Sequence, residues 1–262
     1  MNRIEELFKA KGKNVLSVYF TAGFPELSST RPIIQELARA GADLIEIGIP
    51  FSDPMADGVT IQESNQAALV EGFTIERLFE ELKDVRKEAS IPIVLMTYFN
   101  PVFKYGFDRF CQQANACGID GLIIPDLPLS EYHRNYQDLF ERYGLSICFL
   151  ITSETDEQRI RAIDAATYGF IYLVTSPGVT GREVSFSDSQ IAALKRIGSM
   201  QLKNPVLAGF GISNKEGFET VCRYVNGAII GSSFIRSIAG REKELPTTIH
   251  QFIQSILHDR TA

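Results

Sequence analysis

Three acids crowd the stretch Leu44-Ile-Glu-Ile-Gly-Ile-Pro-Phe-Ser-Asp-Pro-Met-Ala-Asp-Gly58, which begins as an aliphatic strand and ends as a tight polar loop. A buried carboxylate is costly unless it is paired or put to use. Glu46 therefore admits two readings. It is either an inward glutamate satisfied by an arginine or by backbone donors, or a carboxyl whose proton affinity is raised by desolvation so that it exchanges protons near neutral pH. Asp57, just before a glycine, is a turn residue or a second acid. Asp53-Pro54 has the stronger turn reading, because Asp-Pro commonly starts turns. Composition alone does not separate these cases.

Three later segments suit an anion. Thr175-Ser-Pro-Gly-Val-Thr-Gly181, Gly209-Phe-Gly-Ile-Ser213 and Gly231-Ser-Ser233 each follow an apolar run. Glycine lets the backbone approach a ligand, and free N–H groups at a helix start attract negative charge. Each loop is weak evidence alone, but in this order they point to a phosphate site. Tyr172 shares an alternating face with Phe170 and Val174 and serves either the core or the site. Tyr19, Tyr98, Phe99 and Phe210 lie near strand ends, where they can line an aromatic-sized cavity. His133, His250 and His258 all fall in helical segments, which argues against a metal-dependent site.

These residues need elements to hold them. Apolar runs at Val15–Phe20, Asp43–Ile49, Ile93–Tyr98, Gly121–Ile124, Ser146–Ile151, Phe170–Thr175, Pro205–Ala208 and Ala228–Gly231 read as strands. Amphipathic segments between them, such as Thr30–Ala40, Thr74–Ala89, Glu131–Tyr143, Glu157–Ala166, Asp188–Ser199 and Lys215–Arg223, read as helices, with Thr247–His258 closing the chain. Strict alternation implies a parallel sheet, and eight units of roughly 30 residues fit a closed barrel. The expected architecture is α/β: a single (β/α)8 TIM barrel over residues 1–262, with an extra N-terminal helix and a short extra helix after the eighth strand. An open doubly wound sheet is the alternative, but its G-x-G-x-x-G turn is missing after the first strand. In a barrel Leu44, Glu46 and Gly48 point inward, as do Ser17, Tyr19 and Thr21, while Ile45, Ile47 and Ile49 face the helices.

The 262 residues are 45% hydrophobic and 22% charged, enough to bury a large core. A net charge of -6 argues against nucleic acid. The four cysteines, Cys111, Cys117, Cys148 and Cys222, show neither metal nor redox spacing and are expected to be reduced. The charged, amphipathic N-terminus is not a secretory signal, and no apolar stretch reaches the ~20 residues that span a bilayer. A soluble, cytoplasmic protein without membrane contact is expected.

The chain closely resembles the tryptophan synthase alpha subunit family. The carriers are Glu46, Pro50-Phe-Ser-Asp-Pro-Met-Ala-Asp-Gly58, Thr60-Ile-Gln62, Pro125-Asp-Leu-Pro128, Gly178-Val-Thr-Gly181, Gly209-Phe-Gly-Ile-Ser213 and Gly231-Ser232, in family order. The Pro-Phe-Ser-Asp-Pro-x-Ala-Asp-Gly segment is highly specific, and the likeness covers essentially the whole chain. It implies a barrel that cleaves indole-3-glycerol phosphate to indole and glyceraldehyde 3-phosphate by a retro-aldol reaction. It also implies a beta subunit, in an alpha2beta2 heterotetramer, that receives the indole through a tunnel. Pyridoxal phosphate belongs to that partner, and this chain needs neither cofactor nor metal. On the resemblance, Glu46 is the general acid/base, Asp57 holds the indole N–H and Tyr172 positions Glu46 or substrate. Gly181, Gly211, Gly231 and Ser232 grip phosphate, while Tyr19, Met96, Tyr98, Ile123 and Phe210 form the indole pocket. Asp53, Pro54 and Thr180 belong to the mobile loops and partner interface. Two other readings stay open at this point: a sugar-phosphate epimerase or isomerase, and a non-catalytic partner of a beta subunit.

Overall fold

Segments of β-branched and aliphatic residues bounded by turns become strands in the computed structural model, which describes residues 2–55, 57–174, 186–209 and 211–258. The strands are β1 (Val15–Thr21), β2 (Leu44–Gly48), β3 (Ile93–Met96), β4 (Gly121–Ile123), β5 (Ser146–Ile147), β6 (Leu150–Thr152), β7 (Ile171–Val174), β8 (Val206–Gly209) and β9 (Gly227–Ile230). Every neighbouring pair is parallel. The sheet order β5-β4-β3-β2-β1-β9-β8-β7-β6 puts two pieces of one apolar run at its ends. The chain itself closes the ring. Cys148 N donates to Leu122 O at 3.0 Å on the β4 side, and Tyr172 N donates to Phe149 O at 2.9 Å on the β7 side. Nine pieces therefore fill the eight positions of a (β/α)8 barrel. The expected single strand Ser146–Ile151 is split because its ladder to the three-residue β4 reaches only Ile147, and its ladder to β7 starts at Leu150.

Side-chain alternation divides the core in two. Leu16, Val18, Phe20, Ile45, Ile47 and Ile49 pack outward against the helices. Val15, Tyr19, Leu44, Val94, Ile123, Phe170, Leu207 and Ile229 fill the barrel, with Met96 and Tyr172 against them. The inward and outward faces match the sequence reading. The extra N-terminal helix, Arg3–Ala10, is capped by Asn2, whose Oδ1 accepts from Ile4 N at 2.9 Å. Its Ile4, Leu7 and Phe8 join the inner cluster. Ile4 lies against Gly121 and Gly169 at the starts of β4 and β7, so this helix closes the end of the barrel opposite the site. Beneath it Asp120 accepts from Arg3 Nη1 at 2.9 Å and from Ile93 N at 2.8 Å, and it also pairs with Arg86.

Two expected helices are interrupted. Thr74–Ala89 is a helix only over Ile75–Leu82; Asp84 then takes φ 62, and Val85–Lys87 forms a 3-10 turn. The break turns Arg86 inward to donate to the carbonyls of Gly118 and Ile91. Glu131–Tyr143 carries a π-helical segment, Tyr132–Tyr136, between Leu129–Glu131 and Gln137–Arg142. Helices also occupy Val59–Val70, Phe99–Tyr105 and Phe107–Ala116, the first of them without an apolar stripe. The short helix after the last strand is Ser232–Ile238.

Candidate active site

Glu46 lies in the middle of β2, two residues short of its C-terminal end, and its side chain enters the barrel with no solvent exposure. Ser17 Oγ, from β1, donates to Glu46 Oε1 at 2.7 Å. Glu46 Oε2 is buried and has no hydrogen-bond partner among the described residues. Among the described residues no arginine or lysine pairs with it, which disfavours the reading of a glutamate held in an ion pair. Desolvation pushes its pKa up to about 7, against the opposing pull of the Ser17 hydrogen bond. A carboxyl of that acidity holds and releases a proton at neutral pH.

Asp57 sits in a different environment. It is half-buried on the loop after β2. Burial is the larger effect and raises its proton affinity above the ordinary aspartate value, while hydrogen bonds from the Tyr98 and Asn65 side chains work the other way and favour the carboxylate. The helix Val59–Val70 follows directly and holds this loop, with Gln62 Nε2 donating to Asp57 O at 2.7 Å. The face it buries is made of small residues, Ser64, Asn65 and Ala68. Ser64 Oγ shares a 2.6 Å hydrogen bond with Thr21 Oγ1 at the end of β1, which locks helix to barrel rim.

Two tyrosines complete the interior. Tyr172 is close enough to both Glu46 and Asp57 for their charges to raise its proton affinity further above the phenol range, after the larger effect of burial. Tyr19 is likewise raised by burial and by Asp57 and Glu46. Both phenols therefore stay neutral and can donate hydrogen bonds. Each lies over a glycine on the neighbouring strand. A Cβ at Gly48 would stand 2.0 Å from Tyr19 Oη, and one at Gly209 would stand 2.8 Å from Tyr172 Oη. Glycine at these strand ends is what lets the two rings reach across the barrel mouth.

The remaining sequence candidates among the described residues belong to the inner cluster or to the loops that follow the strands. Met96 and Ile123 belong to the same inner cluster as Tyr19 and Tyr172. Tyr98 packs on Phe51, ring centroids 5.2 Å apart. Gly211 has φ 64, the left-handed region that suits glycine, and is exposed. Gly231 abuts Tyr19, and Ser232 opens the following helix. Ser233 Oγ donates to Ile212 O at 2.9 Å, so the loops after β8 and β9 are tied side by side. Asp53 is exposed and Pro54 half-buried, beside Met55 and Val59, which are exposed large apolar residues. Thr180, Gly181 and Phe210 lie outside the described residues. The Pro125–Pro128 motif has a structural use: Asp126 Oδ1 accepts from Phe99 N at 2.8 Å and anchors the helix after β3.

Sequence reasoning placed Ser17 and Thr21 on the inward face without foreseeing their bonds to Glu46 and Ser64, and it missed Asn65 and Ser64. The polar run Glu63-Ser-Asn-Gln66 gives no sign of which residue is buried. Among the described residues no group of three or more His, Cys, Asp or Glu could hold a metal ion, and no helix is long and apolar enough to cross a membrane. All four cysteines are buried and unpaired.

Comparison with known proteins gives one consistent result. The family model described as tryptophan synthase alpha chain matches residues 6–259. The tryptophan synthase alpha chain of Flavobacterium psychrophilum is 52% identical over 238 residues, covering 91% of this chain and 94% of its own. That of Bacteroides thetaiotaomicron is 49% identical over 235 residues, covering 90% and 92%. Among solved structures, the alpha chain from Legionella pneumophila subsp. pneumophila superposes with a TM-score of 0.86 at 30% identity, covering 98% of this chain and 96% of that one. A chain of the tryptophan synthase complex from Pyrococcus furiosus matches with a TM-score of 0.84 at 34% identity, covering 93% and 97%.

Proposed function

This chain belongs to the tryptophan synthase alpha chain family, and from that premise we propose how its own residues carry out the alpha reaction. The enzyme is a lyase that cleaves indole-3-glycerol phosphate to indole and glyceraldehyde 3-phosphate, and it is the alpha subunit of the tryptophan synthase complex. The whole chain, 1–262, acts as one domain. The single observation that carries the residue roles is the contrast between a fully buried Glu46, titrating near neutrality, and a half-buried Asp57 held by two donors.

Breaking the bond between indole C3 and the glycerol side chain needs a proton on C3 and removal of the side-chain hydroxyl proton. Glu46 supplies the first proton and, as the carboxylate it becomes, takes back the second. The C–C electron pair returns to the indole ring as the hydroxyl carbon becomes the aldehyde, so the net proton count is unchanged. Protonation at C3 spreads positive charge to the ring nitrogen, where ionised Asp57 accepts a hydrogen bond from N–H and stabilises the developing charge. The two carboxyls thus need different environments, a requirement that the full burial of Glu46 and the partial burial of Asp57 support. Tyr172, a neutral donor beside both, positions Glu46 or the substrate.

The phosphate is held by backbone N–H groups of Gly211, Gly231 and Ser232 with the Ser232 hydroxyl, on the two loops that Ser233 ties together. By resemblance Gly181 joins them. The indole lies among Tyr19, Met96, Tyr98 and Ile123, with Phe210 included on resemblance alone. Exposed Met55 and Val59, next to Asp53 and Pro54, suit the surface that meets the beta subunit in an alpha2beta2 heterotetramer. Pyridoxal phosphate belongs to that partner; this chain works without cofactor or metal, in the cytoplasm.

The test is release of indole from indole-3-glycerol phosphate by the purified full chain, by Glu46→Gln and by Asp57→Asn, with and without beta subunit. Wild type should turn over and both variants should lose activity. Silence of the wild type with beta subunit present would reject the lyase roles. A buried Glu46 with no cation paired to it among the described residues disfavours a second reading as a non-catalytic barrel, because a buried carboxyl without a charge partner is costly unless it is put to use.

A further inference from the structure

Of the two oxygens of Glu46, one is engaged among the described residues. Ser17 and Glu46 are both fully buried, and the serine hydroxyl donates to Oε1 at 2.7 Å. Oε2 has no hydrogen-bond partner among the described residues. Ser17 is paired in register with Leu44 on β2 and Ile229 on β9, while Glu46 is paired with Tyr19. Ser17 therefore stands one inward layer beneath Glu46, further from the open end of the barrel. An oxygen that already accepts a hydrogen bond is the poorer place for a proton, because protonation there competes with its donor.

We propose that Ser17 is a positioning residue for the proton transfers: by donating to Oε1 it fixes the rotation of the Glu46 carboxyl and leaves Oε2 as the oxygen that gives the proton to, and takes it from, the substrate. This rests on the reading of Glu46 as the acid/base. The serine also stabilises the ionised carboxyl from below, in a place where burial alone would hold the proton too firmly for release. The other titratable groups facing Glu46 are Tyr19 on β1, Tyr172 on β7 and Cys148 between β5 and β6. Burial raises all three, Cys148 to about 12, so none of them changes charge between about pH 5 and pH 9. From β3 the register neighbour is Val94, which does not titrate. On the loop after β2, Asp57 also acts on Tyr19 and Tyr172 and its own proton affinity is raised by burial, so the pH response of the cluster belongs to Glu46 and Asp57, and the share of Glu46 is read at its own resonance.

The test uses the full chain, wild type, Ser17→Ala, Ser17→Thr and Glu46→Gln, with glutamate labelled by 13C at the side-chain carboxyl. The Glu46 resonance is assigned by its absence in Glu46→Gln. In Ser17→Ala its titration should move up by about one pH unit, the loss of one hydrogen bond to a charged group. The limb of the kcat/KM profile set by Glu46 should move with it. At pH 7 kcat on indole-3-glycerol phosphate should fall about tenfold with KM within about twofold, since Ser17 lies beneath the site. Ser17→Thr, which keeps the hydroxyl, should titrate as wild type, and circular dichroism should show every variant folded. An unmoved Glu46 titration in Ser17→Ala, with Glu46→Gln inactive, would overturn the role of Ser17 and leave that of Glu46 standing. Full activity in Glu46→Gln would instead remove the acid/base reading and this inference with it.

Discussion

Replacing Glu46 by glutamine should make the protein more stable at alkaline pH while it destroys activity. In the unfolded chain Glu46 ionises near its ordinary value of 4.5; in the fold burial holds the proton until about 7. Below about pH 4.5 both states are protonated and the group does not affect the balance. As pH rises, the unfolded chain loses its proton first, so folding stability falls until the folded carboxyl also ionises. The gap from 4.5 to about 7 corresponds to about 3 kcal/mol lost by pH 8 and above. Glutamine still accepts from Ser17 but cannot ionise. Urea denaturation of wild type and Glu46→Gln at about pH 5 and pH 8.5 isolates this contribution, because every other titrating group cancels in the difference. The stability of the variant relative to wild type should rise by about 2 to 3 kcal/mol between the two pH values. An equal difference at both would refute the claim that the barrel interior holds an acid of raised pKa.

Other perturbations separate chemistry from scaffold. Asp57→Asn should lower kcat for indole release by about 100-fold or more with little change in KM, as expected when a charge acts only in the transition state. Gly48→Ala places a methyl 2.0 Å from Tyr19 Oη and 2.5 Å from its Cζ, so the ring must move; a loss of about 1–3 kcal/mol in denaturation and a drop in turnover should appear together. Asp120→Ala, at the far end of the barrel, strands Arg86 without its carboxylate and should cost about 2–3 kcal/mol of stability while kcat stays at the wild-type value.

Much of this arrangement is written in local pattern. Period-two alternation in Val15–Thr21 and Leu44–Gly48 assigned the inward faces, and with them the burial of Glu46 and Tyr19, because a residue's side of a strand is set by parity. The helices expected at Thr74 and Glu157 also start where expected, at positions where capping chemistry is strong: Thr74 accepts from Arg77 N and Asp156 from Arg159 N. What pattern hides is tertiary demand. The break at Asp84 exists so that Arg86 can reach Asp120 and the Gly118 carbonyl, partners more than thirty residues away in sequence. The helix Val59–Val70 buries Ser64 and Asn65 rather than aliphatics, since its inner face meets a polar barrel rim, and so it lacks the apolar stripe that marks its neighbours. Ser17 was visible as an inward polar residue; that its hydroxyl meets one oxygen of Glu46 depends on the stagger of two strands, which no single segment encodes.

Hydrogen–deuterium exchange at C3 of indole most directly tests the claim that Glu46 delivers the proton, because it follows that transfer apart from carbon–carbon cleavage. Full-length enzyme would be incubated with indole in D2O near pH 7, and loss of the C3 proton signal followed by NMR. Wild type should accelerate the exchange and Glu46→Gln should slow it by about 100-fold or more relative to wild type. Exchange by Glu46→Gln at the wild-type rate would contradict the account.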